Sequence, residues 1–165
     1  MDKSKESFKD TFKLILKNFW FVPVLLTITI CMNLFVFRLS LVVGSSMEPT
    51  LSNGDLIIAQ ITKNPERYDI IILEEDMGEH PYLIKRVIGL PGETIQISNN
   101  TIYINGKPIA DPIKVEMENY GLANEPIVLD DNEYFVLGDN RNDSYDSREF
   151  GPVFKENILG KKLGS

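Results

Sequence analysis

Hydrophobic and polar positions split this chain into two unlike parts. Residues 19–37 carry no charged side chain, and a helix of that length, at about 1.5 Å per residue, reaches roughly across the hydrocarbon core of a bilayer. Beyond it the apolar runs are short and rich in β-branched residues, and Gly, Pro, Asn or acidic residues bound them. Asp55–Gln60, Asp69–Leu73 and Tyr82–Ile88 read as buried strands, and Ser40–Val43 is strand-like. Thr94–Ser98 and Thr101–Ile104 flank Asn99-Asn100 as a hairpin, Asn105-Gly106 supplies another tight turn, and Glu133–Leu137 adds a later strand. No long helical period follows residue 50, and Asp111–Glu125 is irregular, with the composition of a mobile loop. The pattern predicts a mainly β protein: a transmembrane helix at the N-terminus, then a β-rich domain.

The apolar run competes with a cleavable leader as an explanation. It is longer than a typical leader core, no small-x-small cleavage site follows promptly, and strand-like sequence begins at once, so a retained anchor is the better reading. Pro23 near its start is a kink site, Asn33 is a polar group within the span, and Trp20 suits an interfacial position. Charge is uneven about this segment. Residues 1–17 hold five lysines against three acids, a net of +2, whereas residues 38–165 hold 12 basic and 21 acidic side chains, a net of −9. The lysine-rich tail is therefore expected inside the cell and the acidic domain outside. The predicted organisation is a cytoplasmic tail at 1–18, a transmembrane helix at 19–37 and one extracytoplasmic domain at 38–165, whose size fits a single core. Such acidity argues against nucleic acid as a partner, because a phosphate-binding face needs clustered Lys and Arg.

Candidate chemistry narrows quickly. Cys31, the only cysteine, falls in the anchor, so the outer domain has no internal disulfide; His80, the only histidine, sits between Glu79 and Pro81 as a loop residue. Zinc sites and mechanisms that pair His with Ser or Cys are thereby removed, and no motif asks for a metal or cofactor. Ser46, in Ser46-Met47-Glu48-Pro49-Thr50, lies a few residues past the anchor. Lys85 interrupts the apolar strand Tyr82–Ile88, sharing a face with Leu83 and Val87 while Arg86 shares the other with Ile84 and Ile88. A desolvated lysine loses its proton readily and can activate a serine hydroxyl. Alone, Lys85 would read as a strand lysine snorkelling to solvent.

Three ordered segments decide between these readings. Gly44–Leu51, Lys85–Glu93 and Gly138–Arg148 together resemble the type I signal peptidases of bacteria, membrane-bound serine proteases with a Ser-Lys dyad, and Asp55 and Asp69 also fit. Tyr68 departs from the family by standing where glycine usually precedes the second aspartate. The resemblance implies coiled antiparallel sheets, Ser46 as nucleophile and Lys85 as general base, with Ser45 left as a turn residue. It implies a Ser144 hydrogen bond near the Lys85 ammonium, and ion pairs of Asp139, Asp146 and Arg148 that brace the site. Asn142 and Asp143 read as plain polar turn residues. Relatives that carry a serine two places before the nucleophile use it on the tetrahedral oxyanion, but here that position is Gly44. The oxyanion donors are then the backbone N–H of Ser46 and a second group, the Gly44 region or a water.

By the same resemblance, Val42, Met47, Leu51, Ile57 and Ile84 would form shallow pockets that admit alanine. The substrates would be signal-peptide-bearing preproteins, bound as an added β-strand and cut at small-x-small sites. Membrane lipid is the expected surrounding, and contact with secretion machinery is a further expected partnership. A catalytically dead homologue acting in assembly is the alternative class, against which Ser46 and Lys85 both stand. A peptidase dedicated to one client, such as a pilin, is the narrower alternative.

Overall fold

The computed structural model describes residues 17–74 and 81–164. The tail before residue 17 and His80 lie outside the described residues, as does the side chain of Asn33. The chain divides into two compact units between Val36 and Phe37.

The first unit contains helix α1, Phe21–Phe35. Residues 17–19 are also helical, with a turn at Trp20 separating them from α1. Pro23 accounts for that break, because its ring clashes with the carbonyl four residues back, at Phe19. The expected span of 19–37 is therefore shortened at both ends. At 15 residues, α1 is about 22 Å long, and among the described residues no helix is long and apolar enough to cross a membrane. Phe37 leaves the helical segment because it pairs with Gln60 as the first residue of a sheet.

Among its described residues the second unit has eleven strands, paired antiparallel throughout. In chain order they are β1 Phe37–Leu41, β2 Leu56–Gln60, β3 Ile70–Glu74, β4 Tyr82–Gly89, β5 Thr94–Ser98, β6 Thr101–Ile104, β7 Lys107–Pro108, β8 Ile127–Val128, β9 Glu133–Leu137, β10 Val153–Phe154 and β11 Ile158–Lys162. A seven-stranded sheet runs β1-β2-β11-β3-β4-β9-β10, and a four-stranded sheet runs β7-β6-β5-β8. A four-residue helix, α2 (Ser147–Phe150), begins within the end of the last predicted motif. The predicted strands form within a residue of where the sequence places them, except that the strand expected at Ser40–Val43 lies earlier, at Phe37–Leu41. Asn99, Asn100, Asn105 and Gly106 all take positive φ, the backbone that closes tight hairpins without splaying the strands.

Strand β11 is absent from the sequence-based expectation. Two lysines and Gly160 interrupt its apolar pattern, yet it inserts between β2 and β3 in the middle of the large sheet. Gly160 permits this, since a Cβ there would stand 2.5 Å from the Gln60 carbonyl oxygen. The segment Asp111–Glu125 is irregular as expected, but it is tied down rather than loose. Met117 is buried in the core beside Ile102, Ile104 and Phe135, Asp111 pairs with Arg141, and the Asn142 side-chain amide donates to the Glu116 carbonyl at 3.0 Å.

Among the described residues, three apolar clusters fill the unit. Ile88, Ile95, Ile97, Ile102 and Phe135 belong to the first, which draws on both sheets. A second, with Ile71, Leu73, Val87 and Val136, packs on the Lys85 side of β4. The third gathers Val42, Met47, Leu51, Ile57, Ile70 and Ile72, with Ile84 against it, and roots the loop that carries Ser46.

Candidate active site

The loop between β1 and β2 is closed at its base and anchored at its middle. Val42 N–H donates to the Asp55 carbonyl at 2.8 Å and Gly54 N–H to the Val42 carbonyl at 2.9 Å. Met47 and Leu51, 1% and 5% exposed, sink into the third cluster, and a bond from Leu51 N–H to the Met47 carbonyl at 2.9 Å makes one tight turn of the segment between them. Apolar burial of Met47 thus fixes its neighbour Ser46, which stays half-buried. Gly44, with φ +94, gives its N–H to Asn53 Oδ1 at 3.0 Å. That donor is already engaged, which weighs against the Gly44 amide as the second oxyanion group.

Lys85 stands in β4 opposite Ile71 of β3 and is only 2% exposed. Its Nζ donates to Ser46 Oγ at 2.8 Å, closing the 39-residue separation seen in the sequence. Burial is the largest influence on its proton. It lowers the pKa from 10.5 to about 8, with Asp146 and Asp139 pulling upward and Arg148 pushing downward. An ammonium stripped of water is costly, and the nearby charges of opposite sign partly cancel, so desolvation decides the direction.

A frame of buried charge surrounds the pair. Asp146 accepts from Arg148 Nε and NH2, each at 2.8 Å. It also accepts from Gly138 N–H at 2.9 Å and caps α2 through Arg148 N–H. Asp139, fully buried, is held not by these residues but by Arg86, whose Nε reaches Oδ1 at 2.7 Å and whose NH2 reaches Oδ2 at 2.5 Å. Arg86 NH1 also donates to the Tyr68 carbonyl at 2.8 Å. Tyr68 itself adopts φ +74, so the tyrosine keeps the left-handed turn that glycine would take. Its hydroxyl bond to the Ala110 carbonyl, 2.6 Å, helps hold that conformation.

Ser144 departs from the expectation drawn for it. Its Oγ is buried and has no hydrogen-bond partner, so the bond to Lys85 is not formed. The hydroxyl instead lies against Gly138, where an added Cβ would come within 2.0 Å of it and within 2.6 Å of the Ser46 carbonyl oxygen. Only glycine lets the Ser46 backbone, Ser144 and the end of β9 meet this closely.

Beside Ser46 lies a groove of about 240 Å³, lined by Leu41, Val42, Met47, Tyr82 and Ile84 among others. Of the five pocket residues expected from the sequence, Val42, Met47 and Ile84 line it, while Leu51 and Ile57 lie in the core behind and do not. Alternation along β2 explains Ile57: it shares the inner face with Ala59, while Leu56 and Ile58 point outward. Among the described residues no group of His, Cys, Asp and Glu could hold a metal ion.

Sequence reasoning missed the partner of Asp139. The signal was available, since Asp146 and Arg148 satisfy each other and leave Asp139 needing a cation, and Arg86 is an arginine on a strand face otherwise shared with Ile84 and Ile88. It also read Asp143 as a bland turn residue, although its Oδ2 accepts from Ser45 Oγ at 2.8 Å.

Comparison with known proteins gives this geometry a family. The family model for signal peptidase, peptidase S26, matches residues 15–163. Signal peptidase I V of Bacillus subtilis strain 168 is 35% identical over 162 residues, covering 87% of this chain and 95% of its own. Signal peptidase I T of the same strain is 40% identical over 139 residues, 76% of this chain and 72% of its own. The crystal structure of a signal peptidase I from Enterococcus faecalis V583 superposes with a TM-score of 0.50 at 34% identity, covering 59% of this chain and 96% of that one. With a match over nearly its whole length, the chain belongs to the signal peptidase family, peptidase S26, and is a hydrolase of that family.

Proposed function

We propose that this protein is a membrane-bound serine endopeptidase that removes signal peptides from exported preproteins, with Ser46 as nucleophile and Lys85 as general base. The observation that carries the reading is the 2.8 Å contact between Lys85 Nζ and Ser46 Oγ, made by a lysine whose pKa burial lowers to about 8. A base poised near the working pH is what a serine nucleophile needs. Neutral Lys85 takes the Ser46 proton as Oγ attacks the scissile carbonyl, and the resulting oxyanion faces the Ser46 N–H, which makes no hydrogen bond among the described residues. The Lys85 ammonium then protonates the departing amine. A water, deprotonated by Lys85, opens the acyl-enzyme and regenerates Ser46.

The groove beside Ser46, with Val42, Met47 and Ile84 in its apolar lining, supports a preference for small apolar side chains next to the cut. The segment around α1 supports membrane attachment: Leu25, Leu26, Ile28 and Ile30 are all exposed on a helix whose sequence carries no charged residue, an apolar surface that is costly to leave in water. In this reading the N-terminal tail is cytoplasmic and the catalytic domain extracytoplasmic. Protease added to intact protoplasts then digests the domain after Phe37, and protection of that domain refutes the orientation.

The direct test of the chemistry is preprotein processing by variants. Ser46→Ala and Lys85→Ala each abolish it, and the double variant loses little more than either, because the two residues act as one unit. Near-normal processing by Lys85→Ala overturns the dyad.

A further inference from the structure

The nucleophile loop is fastened to the loop after β9 by bonds that the Ser-Lys chemistry does not itself require. Asn140 makes two of them: its backbone N–H donates to the Ser46 carbonyl at 3.0 Å, and its side-chain Nδ2 donates to the Ser45 carbonyl at 3.2 Å. The Ser45 carbonyl also accepts from Glu48 N–H at 3.0 Å, so both its lone pairs are used. On the other side of the same residue, Ser45 Oγ donates to Asp143 Oδ2 at 2.8 Å. Asp143 is held in turn by its own N–H, which donates to the Asn140 carbonyl at 3.0 Å. Asn140 and Asp143 therefore form a clasp, two arms of one turn gripping two consecutive residues about 95 positions earlier in the chain.

What this clasp fixes follows from peptide geometry. A trans peptide is planar, with its C=O and N–H pointing in opposite directions. The Ser45 carbonyl and the Ser46 N–H belong to one such plane. Two donors on the carbonyl set the plane's rotation, and thereby aim the Ser46 N–H away from Asn140. The bond to the Ser46 carbonyl fixes the next plane, so both peptides flanking the nucleophile are locked. We propose that Asn140 and Asp143 are positioning residues for the reaction, with Asn140 orienting the Ser46 N–H as oxyanion donor and Asp143 steadying the same peptide through Ser45. The inference rests on Ser46 being the nucleophile. It accounts for a requirement the site otherwise leaves open: with the Gly44 N–H bound to Asn53, the Ser46 N–H carries more of the oxyanion, and its direction matters more.

The experiment uses the full chain in lipid vesicles, a peptide substrate with alanine one and three places before the cut, and two probes of matching sequence. A peptide aldehyde adds to Ser46: Oγ bonds to the aldehyde carbon, the C=O π pair moves to oxygen, and the Oγ proton passes to Lys85. The corresponding peptide alcohol binds without forming that oxyanion. Asn140→Ala is expected to lower kcat about 10- to 100-fold with little change in KM, since a misaimed oxyanion donor costs transition-state binding alone. Aldehyde affinity falls in parallel, and alcohol affinity does not. Asn140→Asp, equal in size but presenting an acceptor to the Ser45 carbonyl, shows the same loss. Ser45→Ala and Asp143→Ala each lower kcat about three- to tenfold, the worth of one hydrogen bond. The two together lose no more than either alone, and Asp143→Asn, which retains an acceptor, restores most of the rate. Thermal unfolding of each variant verifies that it is folded, and the change at half-buried Ser45, Ser45→Ala, remains informative if an Asn140 variant does not fold. Unchanged kcat in these variants, or equal losses of aldehyde and alcohol affinity, would overturn the positioning role. Retention of aldehyde binding by Ser46→Ala would instead overturn the nucleophile assignment, and the inference with it.

Discussion

Arg86 grips the buried carboxylate of Asp139 through two parallel hydrogen bonds, from the residue next to Lys85 on the same strand. Because successive side chains of a strand point to opposite faces, β4 presents Lys85 to one side and its brace, Arg86, to the other. The brace sets the start of the turn that carries Asn140, Ser144 and Asp146. One strand thus fixes both the lysine and the loop that encloses it.

The pairing predicts an asymmetric outcome for Arg86→Met. Asp139 is fully buried, so removing its partner strands a charge in the interior, a loss of about 3 to 5 kcal/mol. Urea denaturation at neutral pH measures this. Adding Asp139→Asn to Arg86→Met should recover part of the stability, and a variant as stable as the parent would show that the ion pair contributes nothing.

Lys85 is predicted to trade stability for chemistry. Its pKa in the folded chain, about 8, lies below the 10.5 of an exposed lysine, so between those values the unfolded chain binds more protons and stability rises with pH. The cost is full below pH 8 and vanishes above 10.5. Lys85→Met, similar in length and apolar, should be inactive yet more stable at neutral pH, by up to about 3 kcal/mol. That advantage should shrink as pH rises toward 10.5. Urea midpoints at a series of pH values test this, and a variant less stable at every pH contradicts it.

The legible parts of this molecule were those whose chemistry repeats along the chain. β3, with four apolar residues in succession, and the β5–β6 hairpin, with regular alternation about Asn99-Asn100, announce themselves by pattern. β11 does not, because its place depends on Gly160 tolerating the Gln60 backbone, a contact no local pattern encodes. The site divides in the same way. Ser46 and Lys85 stand in segments whose residue types recur in a known family, and the fold brings them into contact. Ser144 was assigned by resemblance a bond it does not make, and the Asn140–Asp143 clasp escaped notice because Asn and Asp in a turn need no further explanation. The apolar run at 19–37 was readable, but the limits of the helix within it were not, since the strand pairing of Phe37 and the break at Trp20 are set outside the composition of the run.

The central claim, that neutral Lys85 activates Ser46, is tested most directly by the pH dependence of peptide cleavage for the parent enzyme and Lys85→Arg. Because only the neutral amine can take the serine proton, kcat/KM of the parent should rise through about pH 8, the value to which burial lowers Lys85. Lys85→Arg should be inactive across the range, since arginine does not surrender its proton. Substantial cleavage by Lys85→Arg, or a parent rate unchanged down to a pH at which Lys85 is fully protonated, would contradict the account by showing that another group activates Ser46.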